Sequence, residues 1–181
     1  MTEKRARGSG TLSGCALERI IRAARLAAVF LGVLAGMPDP ASAQAEPTVI
    51  AVAIVVHPAT QIDDLTFQEL RAIFRGERQF WDDGRRVTLL MRAPEAAERG
   101  LVLDRIYGMD EAQFREYWIG KMFRAEVASG PKLVYSADMA RELVTVIPGA
   151  ITFVPVNEVS SETKVVRIDG RLPSEVGYPL R

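Results

Sequence analysis

Cysteine and histidine are nearly missing from this chain, with one of each in 181 residues. The single cysteine, Cys15, lies near the start, so the rest of the chain has no thiol for a disulfide or a nucleophile. One histidine, His57, cannot supply the clustered Cys/His ligands of a structural zinc site. Charge of one sign is also lacking: 23 Lys and Arg balance 23 Asp and Glu. That balance excludes the basic footprint of a nucleic-acid-binding domain. No apolar run is long enough to span a bilayer, which takes ~20 residues. Gly-x-Ser-x-Gly, His-Glu-x-x-His and a Gly-rich phosphate loop are all absent, so no common hydrolase, metalloprotease or nucleotide-binding chemistry is encoded. No enzyme activity, cofactor or metal is expected.

The balanced charge hides a split. Residues 1–45 carry six basic and three acidic side chains, and the remainder carries seventeen basic and twenty acidic ones. Within the basic part, Arg19, Arg22 and Arg25 precede the apolar run Leu26–Met37. Pro38-Asp39-Pro40 breaks that run, and Ala41-Ser42-Ala43 supplies small residues at a cleavage position. This order of charged, apolar and small segments is that of a secretory signal. It predicts a signal peptide over 1–43, cleaved after Ala43 or Ala45, a mature domain over 46–181 in the periplasm, and no membrane span after processing. Leu12-Ser13-Gly14-Cys15 has the look of a lipid-attachment site, but it precedes the apolar run instead of following it, so Cys15 is incidental.

What is present is an alternation of strand and helix signals. Val49–Val56 is almost wholly apolar and reads as a strand buried on both faces. Thr66 with Glu69 forms a capping-box pattern, and Leu65 and Leu70 stand at staple positions. Phe67, Leu70, Ile73 and Phe74 give that helix one apolar face, and Gly76 ends it. An aromatic loop with Phe80 and Trp81 leads to a turn at Asp83-Gly84, with Trp81 either packed down or left exposed for a partner. The acids Asp82 and Asp83 are followed by Arg85 and Arg86, which marks a charge-compensated turn and not a cation site.

Val87–Met91 is the second strand, followed by a helix from about Glu95 to Tyr107. Asp110 caps a third helix, with Met109 and Phe114 in staple positions and an apolar face of Phe114, Tyr117, Trp118 and Met122. Ser129–Pro131 is a loop, and Ser136 caps a helix that ends near Ile147. Ala150–Val156 and Lys164–Ile168 are the last strands. The alternation predicts an α/β fold with a mixed, mostly parallel sheet flanked by helices.

Taken together, Leu65-x-x-x-Glu69-Leu70-x-x-Ile73-Phe74-x-Gly76, then Trp81, Asp83-Gly84 and a strand ending in Arg92, resemble one lobe of the phosphate ABC transporter substrate-binding proteins. These belong to the type II periplasmic binding proteins. The likeness continues through Tyr117-Trp118 and Val146-Ile147-Pro148-Gly149-Ala150-Ile151. The resemblance implies a non-catalytic solute-binding fold and a small oxyanion ligand such as phosphate. It also implies that Arg92 belongs to the anion site, because a guanidinium at a strand end offers a bidentate fork. Relatives follow that arginine, three residues on, with Ser-Gly-Thr, whose hydroxyls and backbone hold the oxygens. Here Arg92 is followed by Ala93-Pro94-Glu95 and then Ala96-Ala97-Glu98. The expected ligand-binding residues are therefore Arg92, Arg99, which restores a positive charge, and His57 at a strand end. Carboxylates at 95 and 98 would oppose a phosphate and could pair with Arg92. A single lobe also lacks the second wall that hinge closure needs. That leaves two readings: a solute-binding-like protein with a degenerate anion site, or a periplasmic interaction or sensory module with a protein partner or self-association.

Overall fold

The structure is a computed structural model that describes residues 51–181. The segment expected to be a signal peptide, with expected cleavage after Ala43 or Ala45, lies outside the described residues. The elements run β1 (Val52–Val56), β2 (Asp64–Leu65), α1 (Phe67–Phe74), β3 (Thr88–Arg92), α2 (Ala97–Val102), α3 (Glu111–Phe123), β4 (Lys132–Val134), α4 (Ala137–Val146), β5 (Ala150–Pro155), β6 (Lys164–Val165) and β7 (Arg167–Ile168). A π-helical turn, Leu103–Tyr107, extends α2.

The main sheet has five strands in the order β4-β3-β5-β1-β6. β3 pairs in parallel with both β4 and β5. β1 runs antiparallel to β5 and to β6. Four strands thus point one way and β1 alone is reversed, so the sheet is mixed and mostly parallel. β2 and β7 form a separate parallel pair. The strand expected over Lys164–Ile168 is split at Val166, whose N–H donates to Ile54, so its two halves join different sheets.

Alternation along the strands divides the core in two. Val52, Ile54 and Val56 of β1, with Met91, Ile151 and Phe153, face α1, α2 and α3. Ala53 and Val55, with Leu90, Ala150 and Val154, face Ala137, Ala140 and Val144 of α4. Every residue of β1 is buried, as its unbroken apolar sequence requires of a strand covered on both faces. Burying each large side chain here stabilises the fold by about 1.5–3 kcal/mol.

The helix starts follow the local chemistry. The Thr66 side chain accepts from the Glu69 backbone N–H, and the Glu69 carboxylate accepts from the Thr66 backbone at 2.9 Å. That double contact holds the Glu69 carboxyl below its ordinary pKa, chiefly through the Thr66 hydroxyl. Asp110 and Gln113 form the same reciprocal arrangement at α3, and the Ser136 hydroxyl accepts from Met139 at α4. On α3, Phe114 and Trp118 are buried but Met122 is 42% exposed, so the apolar face is narrower than its spacing suggests. The helix expected from Glu95 begins at Ala97. Trp81 packs down, and its indole N–H donates to the Gly149 carbonyl at 2.9 Å. Gly149 must be glycine: φ is +78°, and a Cβ there would stand 2.4 Å from the Arg86 carbonyl. β4 has no sequence signal beyond Leu133-Val134, because only Val134 is buried.

Candidate functional site

Arg92 closes β3 at its C-terminal end, where an open α/β sheet generally binds its ligands. Ala93 continues the ladder by donating to Val134, and Pro94 then turns the chain toward α2. Pro94 and Glu95 are exposed, whereas Arg92 and Glu98 are both more than nine-tenths buried. The guanidinium Nε of Arg92 donates to Glu98 Oε1 at 2.6 Å. Its Nη1 is buried without a hydrogen-bond partner among the described residues. The α2 N-cap is Ala96, which has no side chain to offer as a cap.

Arg99 is expected to restore one positive charge beside Arg92, and in the structure that charge is paired with Glu111. Its Nε and Nη2 donate to the two carboxylate oxygens of Glu111 at 2.8 Å each, in a bidentate fork. Its Nη1 donates to the Arg92 carbonyl. The guanidinium also stacks over Phe114, 4.9 Å from the ring centroid. Arg99 is 4% exposed and acts as an internal tie between β3, α2 and α3. A cavity of about 520 Å³ beside it is lined by Asp104, Asp110 and Glu111, which oppose an anion.

His57 does not join this group. Its backbone N–H donates to Ala150, which stands opposite Thr88 at the beginning of β3. Arg92 is at the other end of that strand. At ~3.3 Å of rise per residue the two lie roughly 13 Å apart along the sheet. The reversed direction of β1 causes this, since its C-terminal end meets the N-terminal end of its neighbours. The His57 Nδ1 accepts from the Ala59 N–H at 3.0 Å and so closes a turn.

Arg92 and Arg99 are therefore brought together, each with its own carboxylate, and His57 is set apart. Pairing of Arg92 with Glu95 or Glu98 was legible from the spacing of a strand end and the first turn of the next helix, and the structure shows Glu98 as the partner. The Arg99–Glu111 pair was not, because it depends on how α3 lies against α2. Among the described residues no cluster of His, Cys, Asp and Glu is arranged to hold a metal ion, and no helix is long and apolar enough to cross a membrane.

Solved structures supply the comparison for this geometry. An ABC-type phosphate transport receptor from Vibrio cholerae superposes with a TM-score of 0.56 at 18% identity, over 69% of this chain and 48% of that one. PstS from Borrelia burgdorferi gives 0.57 at 14% identity, over 72% of this chain and 54% of that one. A putative phosphate ABC transporter substrate-binding protein with bound phosphate, from Clostridium perfringens, gives 0.54 at 16% identity, over 67% of this chain and 46% of that one. The chain spans about half the length of these proteins. No family model and no curated protein matches it in sequence. The likeness establishes the fold: a mixed α/β architecture of the periplasmic binding protein kind, with partial coverage consistent with one lobe.

Proposed function

We propose that this chain is a non-catalytic, exported, solute-binding-type lobe whose oxyanion site is closed by its own carboxylates. The observation that carries this reading is the buried Arg92–Glu98 pair at 2.6 Å. An oxyanion at the end of β3 would have to displace Glu98 from a buried guanidinium, and the expelled carboxylate would then lack a partner. Leaving one member of a buried pair uncompensated costs about 3–5 kcal/mol, which an incoming oxyanion would have to offset. The fold shared with phosphate-binding proteins supports the solute-binding class, and the leader sequence supports the periplasm as its compartment.

Thermal melting with an oxyanion panel tests the reading, because a ligand that binds only the folded state raises its stability by mass action. Phosphate, sulfate and arsenate at millimolar concentration should leave the melting temperature of the wild type unchanged. A saturable rise with phosphate that disappears in Arg92→Ala would overturn it.

The second reading, a lobe that docks on a protein or on a second copy, draws on a different observation. Ile119 and Phe123 on α3, with Leu133 on the edge strand β4, are exposed to 62%, 92% and 42%. Analytical ultracentrifugation of the wild type and of Ile119→Ser with Phe123→Ser tests this. Self-association lost in the double variant supports it, and a monomer at all concentrations excludes the second copy.

A further inference from the structure

At the opposite end of the sheet from Arg92, a second cavity has the chemistry of a ligand site. It opens between the turn after α1, the start of β3 and the loop that leads into β4, with a volume of about 290 Å³. That places it at the small end of the range for small-molecule sites. Its inner wall is apolar and firm: Ile73, Leu89, Trp118 and Val127 are all buried. Gly76 lets the indole form that wall, since a Cβ there would stand 2.9 Å from Trp118 Cη2.

The rim is cationic. Arg86 and Lys132 are exposed, and among the described residues neither side chain has an ion-pair or hydrogen-bond partner. The third cation of the rim, Arg78, is held by Asp82 at 2.6 Å. No Asp or Glu lines the cavity. The backbone N–H groups of Ala128, Ser129 and Gly130, in the loop that forms one side, donate to no described residue. Uncommitted donors and positive charge therefore surround an apolar wall with no carboxylate to neutralise them.

We propose that this cavity binds a small organic anion with a flat apolar body, of the aromatic carboxylate class. The carboxylate sits between Arg86 and Lys132, where the guanidinium supplies a planar fork. The ring covers the wall made by Trp118, Leu89 and Val127. An inorganic oxyanion has the charge but no body to cover that wall, and a neutral aromatic has the body but no charge for the rim.

The experiment is a titration of the purified protein with sodium benzoate, followed through the two indole N–H resonances, assigned with Trp81→Phe. Benzoate should shift the Trp118 resonance saturably and raise the melting temperature. The double variant Arg86→Ala with Lys132→Ala should bind at least about tenfold more weakly while melting like the wild type, since both side chains are exposed. Arg86→Lys should recover part of the loss. Arg92→Met with Glu98→Leu, at the other end of the sheet, should bind benzoate as the wild type does. The proposal fails if about 10 mM benzoate gives no saturable shift. It also fails if a well-folded double variant binds as tightly as the wild type, or if inorganic phosphate or benzyl alcohol shifts Trp118 equally well.

Discussion

Arg86 and Arg92 bracket one strand and have opposite fates. Arg92, at the C-terminal end of β3, is buried, bound to Glu98 and adjacent to Arg99, which is itself bound to Glu111. Arg86, just ahead of β3, is exposed and has no acidic partner among the described residues. The difference lies in the residues downstream of each arginine. After Arg92 the chain turns at Pro94 and sends Glu98 back over the guanidinium from the first turn of α2. After Arg86 the chain enters the sheet directly, and the loop that faces it, Ala128–Pro131, contains no acid. Charge at a strand end is therefore no guide to anion binding until its neighbours are counted. The end that resembles a phosphate site is the neutralised one.

The largest predicted effect tests the buried end. Glu98→Ala leaves a buried guanidinium uncompensated and should cost about 3–5 kcal/mol in chemical denaturation. Replacing both partners, as Arg92→Met with Glu98→Leu, should cost far less or nothing, because the pair's attraction mainly offsets its own desolvation. A single variant no worse than the double would remove the ion pair from the account. At the exposed end, Arg86→Ala should change stability by no more than about 0.5 kcal/mol.

An intermediate effect is expected where burial meets hydrogen bonding without charge. The Tyr107 hydroxyl donates to the Phe74 carbonyl at 2.5 Å, and burial pushes its pKa far above the ordinary phenol value. Tyr107→Phe should cost about 1–3 kcal/mol by leaving that carbonyl unsatisfied. Ultraviolet titration should show no ionisation of Tyr107 while the protein remains folded. A phenolate signal present in the folded wild type and missing from Tyr107→Phe would contradict the burial assigned to it.

A smaller effect than that of Tyr107 is expected at the start of α1. Thr66→Ala should cost about 1 kcal/mol through loss of the cap. The Glu69 carboxyl titrates below its unfolded value, so its contribution is present above the unfolded pKa and is lost as pH falls through the folded one. Glu69→Gln should therefore flatten the decline of stability in acid, measured as melting temperature between about pH 5 and pH 2. An unchanged acid limb would show that ionisation of the Glu69 carboxyl contributes nothing at that position.

The same contrast explains what the sequence revealed. Thr66 with Glu69, Asp110 and Ser136 mark three helix starts because capping is a contact between residues three apart. The apolar run through Val56 marked a doubly covered strand because burial on both faces leaves no polar position. That Arg92 could pair with Glu95 or Glu98 was readable for a related reason, as one turn separates the strand end from the helix that folds back on it, but the choice of Glu98 was not. Arg99 with Glu111 was not, since nothing local brings α3 against α2. That His57 lies apart from Arg92 was not legible, because a buried apolar run does not state its direction and β1 runs against its neighbours. The Arg86 cavity left no local trace either: its residues come from the turn after α1, the start of β3, α3 and the loop before β4.

A double-mutant cycle on Arg92 and Glu98, run beside one on Arg86 and Lys132, tests the central claim most directly. Each cycle takes the two single variants and the double, measured by equilibrium denaturation in the absence of ligand. The account predicts a coupling of about 2–3 kcal/mol for Arg92 with Glu98 and a value near zero for Arg86 with Lys132. A coupling near zero at Arg92 would mean that its guanidinium is free, and that the end of β3 is open to an oxyanion after all.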